Sequence, residues 1–269
     1  MKTPHRLTTL LFVLLLAGTA SCELAGRVFG PRDRGGIYLI IAVKADGAQL
    51  GQAVAQTTEV MLTRCEQLNL YCKAERVGGD GSNQIKLRIS DPKDPERAKG
   101  VILSQGLELR AVVSAPSPMS AQTYPTQEEA AEAAGADKDV LPYVEMTDTG
   151  GGRKFIVVER TPVVSGQDIL DAKAVTSLVD PKQYEVSFTL KPAGAQRFGQ
   201  WTGTHINNYM AVVLNKQVRS VAYIRSQIFD QGIITGSFTR EQAEDAALVL
   251  KSGNLPAPIE ALEEGVYQP

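Results

Sequence analysis

Histidine is nearly absent from this chain. There are two in 269 residues, His5 and His205. A histidine-ligated metal site or a nucleophile–base–orienter chain needs several convergent side chains, and this inventory cannot supply them. The helical His-Glu-x-x-His pattern and the Gly-x-Ser-x-Gly elbow are both missing. Gly150-Gly151-Gly152-Arg153-Lys154 looks like a phosphate loop but lacks the Gly-Lys-Ser/Thr ending, so it reads as a turn before a strand. The acidic doublets Glu128-Glu129 and Glu263-Glu264 lie in polar segments and read as solvated charge, whereas catalytic carboxylates need a dry pocket to part their pKa values. His205, beside Thr204 and Asn207, reads as a surface or capping residue. Trp201, the sole tryptophan, stands at helical spacing from Phe198 and Ala195 and reads as core. A formal net charge of −2 with no basic stripe excludes a phosphate-neutralising nucleic-acid surface. The sequence therefore offers no catalytic, cofactor-binding or metal-ligating set, and a non-enzymatic protein is expected.

Apolar runs long enough to cross a membrane are also missing. The one uninterrupted run, Leu10 to Leu16, follows Lys2 and Arg6 and is too short for a span. It fits the core of a secretory leader. Ala17-Gly18-Thr19-Ala20-Ser21 then leads into Cys22, a sequence similar to the lipobox of bacterial lipoproteins, with Thr19 where Leu is usual. The resemblance implies cleavage before Cys22 and acylation of its thiol; the other reading is an ordinary leader cut after Ala20. Residues 1–21 are taken as leader and 22–35, which carry Gly, Pro and Arg without periodicity, as a tether. Loss of Lys2 and Arg6 takes the charge to −4. Export leaves Cys65 and Cys72 in an oxidising compartment, either as a disulfide between a helix end and the next strand or as two buried thiols that never meet.

Beyond the tether, periodicity orders the chain. Gly36 to Lys44 reads as a buried strand. Gln49 to Leu68 carries a helical stripe at Val54, Met61, Leu62, Cys65 and Leu68. Tyr71–Val77 and Gln84–Ser90 form a hairpin around a Gly-rich turn. Asp94-Pro95 opens a helix closed by Gly106, and Leu107–Val113 is a further strand. The order is βαββαβ, a ferredoxin-like unit over 36–114. Three prolines break the next stretch, Gln127–Ala134 is acidic and alanine-rich and reads as a short exposed helix at best, and 115–140 as a whole reads as a mobile linker. In the second half, 141–262, strands are expected at Arg153–Pro162, Tyr184–Leu190, Met210–Leu214, Val218–Ile224 and Gly232–Phe238. Helices are expected after Ser165, from Pro192, and from Thr239 with Gln242 as its capping-box partner. Asn215-Lys216 joins a hairpin, and lysine's poor tolerance of positive φ argues against the usual two-residue turn. Gly232 and Gly236 imply bends or close backbone approach. Residues 263–269 read as a tail. The whole is an α+β protein of two lobes.

The stretch Val186–Pro258, with VSFTL, PAGAQRFGQWT, MAVVLN and GIITGSFTREQAEDAALVLKSGNLPAP in that order, resembles the first large periplasmic domain of SecD. The Gly35-Gly36 strand start and the helix start at Asp91–Ala98 resemble that domain's base, and the likeness spans most of 35–262. It implies a head-like second lobe and a periplasmic location. The expected partners are unfolded or translocating polypeptide, Sec membrane components, and a bilayer reached through acylated Cys22. No cofactor is implied. SecD continues into membrane helices, which carry its proton-driven motor; none is read here. An adaptor lipoprotein that reuses the fold for another role is the alternative.

Overall fold

The structure, a computed structural model, describes residues 33–79, 81–116, 118–143 and 154–269. The leader, Cys22 and most of the Gly150–Lys154 segment lie outside them. The base begins with β1 (Gly36–Val43), α1 (Leu50–Gln67), the hairpin β2 (Cys72–Val77) and β3 (Gln84–Ser90), and α2 (Pro95–Ile102). Alternation places Leu39, Ile41 and Val43 of β1 with Ile85, Leu87 and Ile89 of β3 on one buried face. The α1 stripe Val54, Met61 and Cys65 covers that face. Pro95 holds the first helical position of α2, and the Asp94 carboxylate accepts the Arg97 amide at 3.0 Å. Cys65 in the last turn of α1 is bonded to Cys72 at the start of β2, with Cα atoms 6.1 Å apart.

The fourth place in this sheet is not filled by the next strand in the chain. The order is β12-β1-β3-β2, where β12 is Ile259–Tyr267. The ferredoxin-like layout is kept, but its closing strand arrives from the far end of the sequence, and β4 (Leu107–Ala111) leaves for another sheet. The expected tail over 263–269 is thus corrected. Of the acids that read as solvated charge, Glu263 and Glu264 find partners on the base: Glu263 accepts the Tyr38 hydroxyl and Glu264 binds Lys99 at 2.8 Å, while Glu260 beside them binds Lys44 at 2.9 Å.

The head carries α3 (Gln127–Ala134), β5 (Lys138–Tyr143), β6 (Lys154–Glu159), β7 (Ile169–Thr176), β8 (Tyr184–Leu190), α4 (Pro192–Thr204), β9 (Tyr209–Leu214), β10 (Gln217–Tyr223), β11 (Gln231–Phe238) and α5 (Arg240–Ser252). One sheet runs β4-β9-β10-β5-β6, and a second runs β11-β8-β7. The molecule is α+β throughout. Three expectations are corrected. In the 115–140 stretch α3, capped by Thr126, is docked rather than exposed, because Ala130 and Ala134 are small enough to lie buried against Val157 of β6. Ser165 and Asp168 do form a capping box, but over a single 3-10 turn, Gly166–Asp168, and the alternating residues that follow extend as β7. Asn215 and Lys216 both take positive φ, 53° and 59°, so the tight two-residue turn is made despite the lysine.

Base and head meet where α5 lies beside α1 and α2. Arg97 of α2 holds Asp245 through two nitrogens and binds Glu241 at 2.8 Å. At the other end of the joint sits Arg64 of α1, fully buried. Its guanidinium donates to the carbonyls of Val101 (3.3 Å), Ile102 (3.0 Å), Ser104 and Gly253 (2.7 Å), and to Ser252 Oγ (2.9 Å). These acceptors lie at the C-terminal ends of α2 and α5, where helix carbonyls lack intrahelical donors and the dipole is negative. One cation therefore closes two helices and locks the lobes together.

Candidate binding surface

The side chains weighed for chemistry are dispersed. His205 caps α4, stacks on Trp201 with ring centroids 4.5 Å apart, and its Nδ1 lies 2.8 Å from the Trp201 carbonyl oxygen. Trp201 is half-buried against the head core. Glu128 and Glu129 are exposed in the first turn of α3. Among the described residues, no group of three or more His, Cys, Asp or Glu could hold a metal ion. The arrangement offers surfaces rather than reactive clusters.

An extended chain is recognised most simply by adding a strand to an open sheet edge, so the edges can be compared one by one. β2 carries Lys73, Glu75 and Arg76. β12 carries three glutamates and bulges at Leu262, opposite Ile40 and Ile41 of β1. β7 carries Asp171 and Lys173 and a register break. Charges and bulges of this kind guard edges against unwanted pairing. β4 and β6 meet each other through Val112–Val158, with the Val113 amide donating to the Val157 carbonyl at 2.9 Å, so neither is open there.

β11 differs from all of these. Its eight residues, Gln-Gly-Ile-Ile-Thr-Gly-Ser-Phe, include no charge and no proline. Among the described residues it pairs only with β8, in the register Gln231–Thr189 to Ile234–Val186. The Leu190 amide donates to the Asp230 carbonyl at 2.7 Å, which sets the alternation. Gln231 and Ile233 therefore turn their N–H and C=O groups to the free side. Ile234 faces the core, while Ile233 is 55% exposed and neighbouring Phe229 is 64% exposed. The two glycines have a steric cause: a Cβ on Gly232 would meet the Phe188 ring at 2.5 Å, and one on Gly236 would meet the Phe238 ring at 2.7 Å. Past Ile234 the ladder to β8 lapses until Phe238. The result is a neutral edge, in regular register over Gln231–Ile234, with apolar side chains beside it. The sequence pointed to strand edges in general; the lack of charge over Gln231–Phe238 was the signal that singles this one out.

Comparison with known proteins gives a consistent set of likenesses. Residues 141–257 match the family described as SecDF, P1 head subdomain. Protein translocase subunit SecD of Aquifex aeolicus is 34% identical over 218 residues, which is 80% of this chain and 40% of that protein. The SecD subunit of Koribacter versatilis is 34% identical over 221 residues, covering 81% of this chain and 39% of the relative. The chain thus spans about two fifths of these relatives. A solved structure described as a membrane component SecDF that enhances protein export aligns with TM-score 0.60 at 23% identity, over 84% of this chain and 98% of its own. SecDF in a super-membrane-facing form aligns with TM-score 0.62 at 23% identity, over 87% of this chain and 31% of that one. These two show a shared fold.

Proposed function

This chain is a SecD-type periplasmic domain whose residues 141–257 form a SecDF P1 head subdomain, and on that premise we propose that it is a non-catalytic accessory of protein export that holds extended polypeptide on the β11 edge. The relatives are named as translocase subunits, and one neighbour is described as enhancing export; carrying that role over gives the protein a place beside the Sec membrane complex, on the periplasmic side of the envelope. Acylation of Cys22 would hold it to a bilayer. Among the described residues no helix is long and apolar enough to cross a membrane. The protein on this reading grips a passing chain without supplying the driving force.

The observation that carries the reading is the uncharged edge of β11, whose outward N–H and C=O groups at Gln231 and Ile233 match an extended backbone. Main-chain pairing is indifferent to sequence, as a general export accessory requires. The test is the affinity of purified protein for a fluorescent, permanently unfolded polypeptide, read by anisotropy. Micromolar-range binding is expected. Ile233→Pro removes only an outward N–H, since the β8 ladder does not use it, and should weaken binding tenfold or more with the unfolding transition little changed. A proline at Glu263 of β12 should leave binding alone. Equal affinity for the Ile233→Pro and native proteins would overturn the assignment.

A further inference from the structure

The β7–β8 hairpin ends in a turn, residues 177–183, that presents Leu178 and Val179, each 93% exposed. The turn is built to keep its shape. Ser177 is buried and its amide donates to the Gln183 carbonyl at 2.9 Å, while the Gln183 amide donates to the Asp180 carbonyl at 2.9 Å. Ser177 Oγ accepts from the Val179 amide at 3.2 Å and donates to Glu185 at 2.8 Å. The Lys182 amide donates to the Asp180 carboxylate at 3.0 Å. A rigid tip that holds two large aliphatic side chains in water is what an apolar contact requires and what solubility opposes.

Its place in the fold says what it contacts. Thr176 pairs with Tyr184, and Tyr184 pairs with Phe238, so the turn begins where α5 begins. At the other end of α5, Lys251 binds Asp171 near the start of β7 at 2.8 Å, so β7 runs toward the α5 N-terminus and the tip projects past it. Glu241 in the first turn of α5 is bonded to Arg97 in the first turn of α2. The loop leading into α2 is tied to the chain entry, since the Asp91 amide donates to the Gly35 carbonyl at 2.9 Å. Gly36 in turn pairs with Tyr267. The tip, both helix starts and the point where the tether joins the base therefore lie toward one end of the molecule. The charges within the turn, Asp180 and Lys182, cancel, which suits entry into an apolar phase better than docking on a charged face.

We propose that Leu178 and Val179 form a wedge that enters the bilayer from which the tether hangs. The inference rests on the reading that the tether leads to a lipid anchor. A second apolar contact on the same chain adds to the hold of the lipid anchor and limits how the protein swings about it. The wedge would fix the tilt of the head over the membrane as well as adding to its attachment.

The experiment uses Val179→Trp in the full chain with Trp201→Phe, on vesicles of phosphatidylethanolamine and phosphatidylglycerol whose acyl chains carry bromine. One arm uses acylated protein. A second holds the chain to a chelating lipid by a histidine tag in place of the leader. Quenching and a blue shift of the introduced indole in both arms are expected, insensitive to salt, with loss of vesicle partitioning by at least tenfold in Leu178→Asp/Val179→Asp when neither acyl chain nor chelator is present. An unquenched indole in the chelator-held arm overturns the wedge. So does shielding that appears only when Sec membrane complex is added, which assigns the tip to a protein. A quenched chelator-held chain whose acylated counterpart fails to form or to float leaves the wedge standing and removes the anchor at Cys22.

Discussion

Replacing Arg64 with methionine tests the joint between the lobes. Methionine fills much of the same channel but donates nothing, so the carbonyls of Ile102, Ser104 and Gly253 and the Ser252 hydroxyl lose their donor, while the Val101 carbonyl keeps the Ser104 amide at 3.2 Å. A buried acceptor left unpaired costs about 1–3 kcal/mol. Ile102 and Ser104 are buried and Gly253 is half-buried, three orphaned carbonyls in all, which puts the gross loss at roughly 3–9 kcal/mol. Against it stands relief of the buried cation. Burial pulls the Arg64 guanidinium down to about 10, so it is charged at neutral pH and kept so at a desolvation cost of about 3 kcal/mol. The net expectation is a loss of about 3 kcal/mol, a large share of the total for a domain of this size. Urea unfolding followed by circular dichroism, extrapolated linearly to water, reads it, with the slope unchanged if only the native state is affected. Arg64→Lys keeps the charge and three donors but not the planar fork, and should lose about half as much. A methionine variant within 1 kcal/mol of the native protein would refute the reasoning, for it would mean that water or local relaxation satisfies those carbonyls without the arginine.

Three further outcomes are expected. Cys65→Ser with Cys72→Ser opens the bridge across a short loop and should destabilise by about 2.5 kcal/mol in urea unfolding, with equal loss on reduction of the native protein. Lys216→Gly relieves a non-glycine residue held at φ 59° and should stabilise by about 1 kcal/mol in the same assay. Tyr267 is pushed up to about 12 by burial and by the hydrogen bond it donates to Asp33, so the unfolded chain loses its proton first as pH rises. That group's contribution is complete below pH 10 and is lost as pH climbs toward 12, and Tyr267→Phe should flatten the fall in stability measured across that window.

Local signals in the chain were readable where the cause was local. The Asp94-Pro95 start, the Thr239–Gln242 box and the stripe Val54–Met61–Cys65 each depend on neighbours within a turn or two, and the elements stand where those residues place them. Arg64 lies inside the same stripe, at the spacing of a buried position, and that misfit of a charge among apolar residues was the available sign of its role. β12 could not be read. Its outward face is acidic because it borders solvent, and what makes it a strand is β1, at the opposite end of the sequence. The same non-locality misled the reading of Leu107–Val113, whose alternation fits a strand but does not say which sheet receives it. At Ser165 the box was genuine and its continuation was not, since Ile169 begins a ladder with Leu190 that no local pattern announces. For the binding edge, glycine spacing was visible, but the Phe188 and Phe238 rings that require it were not.

The pairing of β1 with β12 also dictates an order of events in time. Closing a loop that encompasses nearly the whole domain is slow, and of the four strands in this sheet the one that closes it is made after the other three. Until then β1, with Ile37, Leu39 and Ile41, has a bare outer flank on a three-stranded platform, a template for any stray extended segment. A chain on this plan stays open to mispairing for as long as its nine-residue closing strand has yet to dock.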